Sequence, residues 1–159
     1  MRRSIVLAIV ALAGVVATGT PVRAQNTDPM LGTWVLNLAK SKYSLTPAPR
    51  SQTRTYSMSG AMVKFTLEGV GADGKPAKSE YSAAYDGKDY PLTGNAVADM
   101  ISLKRVDATT VEATLKKGGK VVSTTIRVVS KDGKTMTATT AGKNAKGEKV
   151  TDVSVFDKK

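Results

Sequence analysis

Apolar side chains recur at every second position along much of the chain, which is the period of a β-strand with one buried face. The clearest runs are Met30–Leu38, Val63–Leu67 and Val111–Leu115. Further candidates, rich in the Val, Thr, Ile and Tyr that pleated surfaces prefer, are 51–57, 77–85, 100–106, 121–130, 135–141 and 150–157. Because no segment after residue 24 sustains helical spacing, the pattern predicts nine strands and an all-β fold.

Glycine-containing dipeptides separate these strands. They are Asp73-Gly74, Asp86-Gly87, Gly118-Gly119 and Asp132-Gly133. Such pairs tolerate positive φ and close tight hairpins between antiparallel neighbours. Strands joined in this way favour an up-and-down antiparallel barrel of about eight to ten strands, since closure removes exposed edges. A two-sheet sandwich is the alternative, although sandwiches usually need long crossing connections. The longer connections here are 37–49 and 91–98, and functional residues are often found on such loops.

The first 24 residues have the order of a secretory signal peptide. A basic start at Arg2-Arg3 precedes the apolar run Ile5–Ala17, and Val22 and Ala24 place small residues before Gln25. The apolar run is 13 residues long, whereas a membrane span needs roughly 18. The sequence therefore predicts cleavage after Ala24 and a single periplasmic or secreted domain over 25–159, without stable membrane insertion.

Composition removes the common catalytic groups, because the chain contains no His and no Cys. A Ser-His-Asp triad, a thiol nucleophile, a disulfide framework and the usual zinc ligand sets are therefore excluded. The nearest pair of carboxylates is Asp86 with Asp89 or Glu80, but nothing apolar flanks these acids to raise a pKa. We therefore expect a protein that is not an enzyme and that carries no cofactor and no metal.

The chain is basic, with 24 Lys and Arg against 13 Asp and Glu. Residues 92–159 hold 13 basic and 7 acidic residues, whereas residues 25–91 hold 8 and 6. Nucleic-acid binding would require aromatic side chains among these cations, and the later segment has only Phe156. The lysines are expected either to maintain solubility or to contact an anionic cell-envelope component or a protein partner.

The first strand begins with Gly32-Thr33-Trp34, which resembles the Gly-x-Trp start of the lipocalin and fatty-acid-binding protein superfamily. The segments Asn37–Tyr43 and Tyr85–Pro91 are similar to those of small exported bacterial lipocalin-like proteins. The resemblance extends over residues 30–157. It implies a lipocalin-like barrel that holds an apolar ligand inside, with Trp34 at the closed end.

The chain departs from the fatty-acid-binding proteins at two places. The connection 37–49 is too short for the helix pair that those proteins carry between their first two strands. Their last strand holds the ligand carboxylate with Arg-x-Tyr, where this chain has Val153–Phe156. Arg54-Thr55-Tyr56 matches the Arg-x-Tyr motif but lies on the second strand instead of the last. The resemblance therefore does not transfer the carboxylate-binding role to it.

Alternation along the strands selects the side chains expected to line the interior. They are Trp34, Leu36, Phe65, Leu67, Tyr81, Ile101 and Leu103. A second set, Tyr85, Lys88, Asp89 and Tyr90, supplies polar groups for a mouth or a sugar contact, although a plain hairpin turn explains the same residues.

Two functions remain. The first is an exported barrel that binds a small apolar or amphiphilic molecule in its interior. The second is an interaction protein whose barrel is filled by its own side chains and whose lysine-rich surface contacts a partner. A concave cavity of roughly 300 Å³ or more would favour the first.

Overall fold

The computed structural model describes residues 28–143 and 146–159, so the predicted signal peptide lies outside the described residues. Within these ranges ten antiparallel strands close into a barrel. They are β1 (Gly32–Leu36), β2 (Ser51–Ser59), β3 (Met62–Val70), β4 (Pro76–Ala83), β5 (Asp86–Thr93), β6 (Met100–Arg105), β7 (Thr110–Lys117), β8 (Lys120–Val129), β9 (Thr135–Lys143) and β10 (Lys149–Lys158). Consecutive strands pair with each other, and β10 closes the barrel against β1. The predicted up-and-down barrel is confirmed. No helix in the described ranges is long and apolar enough to cross a membrane.

Strand β5 lies where the sequence predicted a hairpin turn at Asp86-Gly87 and a loop that begins at residue 91, so this prediction was wrong. The turn lies at residues 84–85, and the positive φ of Gly87 belongs to a register shift between Asp86 and Asp89. Pro91 is tolerated inside the strand because Leu92 N donates to Asp99 O toward β6, so the Pro91 nitrogen faces β4. Pairing between β4 and β5 does not extend to Pro91, which means that no ladder hydrogen bond is lost there.

One end of the barrel is closed by large apolar side chains. Trp34, Met30, Met136 and Phe156 have at most 1% of their surface exposed. The Trp34 indole Nε1 donates to Met30 O at 2.9 Å, which satisfies its one polar atom inside the core. This end therefore has the packing of an ordinary hydrophobic core.

An ion pair holds the chain before β1 against the same closed end. Arg105 on β6 pairs with Asp28, and the Tyr85 hydroxyl donates to the same carboxylate at 2.8 Å. The Arg105 guanidinium also lies 4.1 Å from the centre of the Tyr85 ring. The positive charge of Arg105 is thus neutralised where it is buried.

The opposite end is open and is crossed by the connection between β1 and β2. This connection begins with a 3-10 turn at Leu38–Lys40 and then follows β10, where Lys42 forms an isolated bridge with Val153. It contains no helix pair, as its length predicted. We call residues 43–49 the mouth segment.

Candidate ligand-binding site

Two adjoining cavities lie between the mouth and the barrel interior. The outer cavity has a volume of about 530 Å³ and is lined by the mouth segment, the β3–β4 turn, Val97 and Val122, among other groups. The inner cavity has a volume of about 130 Å³. Both are bordered by Arg54, Leu115 and Thr140, so they meet at one level of the barrel. The outer cavity alone exceeds the roughly 300 Å³ expected of a ligand site.

The structure divides the predicted interior residues into two groups. Phe65, Leu67, Tyr81 and Ile101 line the inner cavity. Trp34 and Leu103 are buried and Leu36 packs against the core, but none of these three borders either cavity. These three are core residues that do not border the cavities.

The predicted loop residues Tyr85, Lys88, Asp89 and Tyr90 lie on or beside β5. Tyr85 is engaged with Asp28 at the closed end. Asp89 pairs with Lys116 at 2.8 Å, and Tyr90 donates to Asp86 at 2.9 Å. None of the four borders either cavity, and their described contacts are with neighbouring side chains.

Aromatic rings form one wall of the barrel interior. Phe65 stacks on Tyr81 with ring centres 4.6 Å apart, and Tyr56 packs on the other side of Phe65 at 5.0 Å. These rings come from β2, β3 and β4 at matched positions, since Phe65 is in register with both Tyr56 and Tyr81. Cross-strand aromatic pairs of this kind stabilise neighbouring strands.

Arg127 on β8 extends toward this aromatic wall. Its Nη1 donates to the Tyr81 hydroxyl at 3.0 Å, and its guanidinium carbon lies 5.6 Å from the Tyr56 ring centre. Arg127 is 7% exposed. Its Nε and the Tyr56 hydroxyl are both buried without a hydrogen-bond partner. In the described part of the chain Arg127 forms no ion pair with a carboxylate.

Arg54 on β2 supplies a second cation at the junction of the two cavities. Its guanidinium lies 4.3 Å from the centre of the Phe156 ring, and its Nε donates to Gln52 at 2.8 Å. Burial lowers the pKa of Arg54, with a smaller contribution from the charge of Arg127, but a guanidinium remains protonated at neutral pH. No carboxylate among the described residues pairs with Arg54. Two interior cations therefore border the inner cavity without a directly paired carboxylate in the described part of the chain.

Asp152 on β10 is a buried carboxylate near the mouth, and its hydrogen bonds go to the mouth segment. It accepts from Ser44 N and Leu45 N, each at 2.6 Å, and from Thr46 N at 3.2 Å. The Thr46 hydroxyl adds a fourth donor at 2.7 Å. Gly142 on β9 lets the segment approach closely, because a Cβ there would lie 2.9 Å from a Leu45 methyl group. Asp152 thus fastens the mouth segment to the barrel.

Arg127 and Asp152 are not among the residues predicted from the sequence, and Arg54 was not assigned a role because it lies on the second strand. Arg127 shares the inward face of β8 with Ser123 and Thr125, but this face can be identified only when the register of the strand is known. For a metal, the described ranges offer no group of three His, Cys, Asp or Glu side chains.

A solved structure shares this architecture. It is the ileal bile acid-binding protein of zebrafish in complex with cholic acid, which aligns with a TM-score of 0.52 at 11% identity. The alignment covers 82% of this chain and 99% of the zebrafish chain. The similarity supports the closed ten-stranded antiparallel barrel. No protein-family model and no curated protein sequence matches this chain.

Proposed function

We propose that the barrel is a carrier for a small amphiphile with an anionic head group. The head occupies the inner cavity between Arg54 and Arg127. The apolar body lies in the outer cavity against Leu115, Val122 and the mouth segment. The two arginines select the charge of the ligand, and the apolar side chains among those that line the outer cavity accept its tail.

The observation that carries the proposal is the unsatisfied polar group at Arg127. A buried cation without a counter-ion costs several kcal/mol, so proteins rarely keep one without a use. Arg127 Nε and the Tyr56 hydroxyl both lack a partner near the same aromatic wall. A carboxylate, sulfonate or phosphate oxygen in the inner cavity would accept from both and neutralise the guanidinium. The cholic acid bound by the zebrafish barrel is also an amphiphilic acid, which agrees with this ligand class.

The test compares ligands that differ only in their head group. We expect dodecanoate and dodecyl sulfonate to bind saturably in calorimetric titrations, and dodecanol to bind about 10- to 100-fold more weakly because it lacks the charge. Replacing the guanidinium by Arg127→Met or Arg54→Met should reduce dodecanoate affinity by a similar factor and leave dodecanol affinity unchanged. Arg50→Met is the matched control, because Arg50 is exposed and borders neither cavity.

A second variant tests the space itself. Leu67→Trp adds volume beside the inner cavity and should prevent entry of the head group, which would abolish dodecanoate binding. Equal binding of dodecanoate and dodecanol would contradict the role of the arginines. The absence of saturable binding for every probe up to millimolar concentration would contradict the carrier function as a whole.

We further propose that the carrier acts outside the cytoplasm. The support is the signal-peptide pattern of the first 24 residues. Protein recovered from the exporting host should have an intact mass that begins at Gln25. Recovery of the chain with Met1–Ala24 still attached would contradict export.

A further inference from the structure

Two hairpin tips at the open end carry lysines directly opposite each other. Lys117 on β7 is in register with Lys120 on β8, and Lys143 on β9 is in register with Lys149 on β10. We call these four lysines the basic rim. Like charges at opposite positions of an antiparallel pair destabilise the pairing. The arrangement therefore works against the local stability of both tips.

In the described part of the chain, Asp99 is the carboxylate that pairs with the basic rim. Lys117 approaches Asp99 at 3.9 Å, but within residues 28–143 and 146–159 the other three rim lysines form no ion pair. At the closed end, by contrast, Arg105 pairs with Asp28, and Lys134 stands beside Asp132 in the β8–β9 hairpin. The rim lysines therefore concentrate positive charge at the open end, and the complement of such a patch is an anionic surface.

Exposed apolar side chains accompany the rim lysines. Val97 is 66% exposed and Val121 is 60% exposed. The loop that carries Val97 is fastened to the β7–β8 tip, since Asp99 N donates to Lys116 O at 2.9 Å and Gly118 N donates to Asp99 at 3.2 Å. Val97 also borders the outer cavity. Lysines, exposed valines and the cavity opening thus form one face.

We propose that this face docks the barrel, mouth first, on an anionic phospholipid bilayer. The lysines contact the head groups, and Val97 and Val121 enter the interfacial layer beneath them. A bilayer fits better than an acidic protein or a polysaccharide because it offers an apolar layer directly below its charges. The docked orientation places the cavity opening on the membrane, so an amphiphile would pass between bilayer and barrel without crossing water. Docking itself does not require a bound ligand, so it stands or falls independently of the proposed ligand site.

The experiment measures flotation of the ligand-free protein with vesicles. We expect binding to vesicles of equal parts phosphatidylglycerol and phosphatidylcholine, and none to phosphatidylcholine alone. Lys120→Gln/Lys149→Gln removes one lysine from each pair and should weaken binding roughly 25-fold, from about fivefold per lysine. The matched control is Lys131→Gln/Lys134→Gln, which removes the same charge from the exposed β8–β9 hairpin at the closed end.

For Lys120→Gln/Lys149→Gln we also expect a result that a merely structural role of these lysines would not produce. Because each substitution relieves a like-charge pair, its thermal midpoint should equal or exceed that of the wild type while vesicle binding falls. A loss of binding accompanied by a lower midpoint would indicate unfolding and would overturn the proposal.

The valines are tested with a thiol-reactive dye on an introduced cysteine. The dye attaches at that position alone because the natural chain has no cysteine. Val121→Cys carrying an environment-sensitive dye should shift to the blue on anionic vesicles. The same dye at Val106→Cys, an exposed position at the closed end, should not shift. Equal shifts at both positions, equal loss of binding in both lysine variants, or equally tight binding to polyglutamate would each overturn docking on a bilayer.

Discussion

The two ends of the barrel differ in whether their inward-facing arginines have a carboxylate partner. At the closed end Arg105 is partly buried, and Asp28 neutralises it beneath a hydrogen-bonded Tyr85. Toward the open end Arg54 and Arg127 border a cavity and have no carboxylate partner among the described residues. The same strand alternation places all three arginines inward. The three arginines differ in whether a carboxylate pairs with them, and under the proposed function the two without such a partner are the ones that meet the ligand.

Packing follows the same division. Trp34, Phe156 and Met136 are fully buried and border neither cavity, whereas Ser79, Thr125 and Thr140 border the inner cavity, and Leu115 and Thr140 border both. Ser79, Thr125 and Thr140 are short, so space remains between them and the larger side chains that line the same cavity. If the proposed function is correct, the closed end contributes most of the stability and the open end the recognition, and the following predictions test this division.

The largest effect is expected from truncation at the closed end. Trp34→Ala removes a fully buried indole and should reduce the free energy of unfolding by about 3 to 5 kcal/mol, as measured by urea denaturation. Leu115→Ala, which truncates a side chain that already borders the cavities, should cost less than about 2 kcal/mol. If both substitutions cost the same, the open end is packed as tightly as the closed end.

Replacing an arginine should lower the free energy of unfolding at the closed end but not at the open end. Arg105→Met leaves the Asp28 carboxylate without its cation and should reduce the free energy of unfolding by about 3 kcal/mol. Arg127→Met removes a buried cation that has no counter-ion, so stability should stay constant or increase by about 1 kcal/mol or more. A large loss for Arg127→Met would show that this guanidinium is structurally compensated and would remove the contrast between the ends.

Alkaline pH gives a smaller effect through Tyr81. Burial raises the pKa of the Tyr81 phenol to about 12 from an ordinary value near 10. The unfolded chain loses this proton first as pH rises, so the Tyr81 contribution is complete below pH 10 and is lost between pH 10 and pH 12. The loss is at most about 3 kcal/mol. The wild type should therefore lose stability more steeply than Tyr81→Phe over this interval in urea titrations. Parallel curves for the two proteins would contradict the burial of this phenol.

A small loss of stability is expected at the mouth. Asp152→Asn keeps one acceptor but removes the charge that four donors of residues 44–46 share, and should cost about 1 to 2 kcal/mol. The mouth segment should then be cleaved faster by a protease in native conditions, and ligand release should be faster. Ser154→Ala, which removes a single neutral hydrogen bond to Tyr43 of the same segment, should accelerate cleavage much less. Unchanged cleavage would show that the segment is held by its other contacts.

The sequence by itself determined the class of the fold. Alternation in Trp34–Leu36, Val63–Leu67 and Val111–Leu115 matches the strands that carry them, and the dipeptides at 73–74, 118–119 and 132–133 lie in hairpin connections. These features are local, since a period of two residues and a positive φ act over a few positions. The interior positions of Phe65, Leu67, Tyr81 and Ile101 follow from the same periodicity.

Only the tertiary structure decided which face of β8 and β10 points inward. On β8 the apolar Ile126 and Val128 face outward, while Thr125 and Arg127 face the interior. On β10 Val153 and Val155 likewise face out, and Asp152 and Ser154 are buried. Hydrophobicity alone would choose the opposite faces. Closure of the barrel fixes which side chains of each strand point inward. A shift of one residue would move every side chain of a strand to the other face and would expose Phe156 and Val129. The arginines that define the candidate site therefore became visible only once the register of the closed barrel was known.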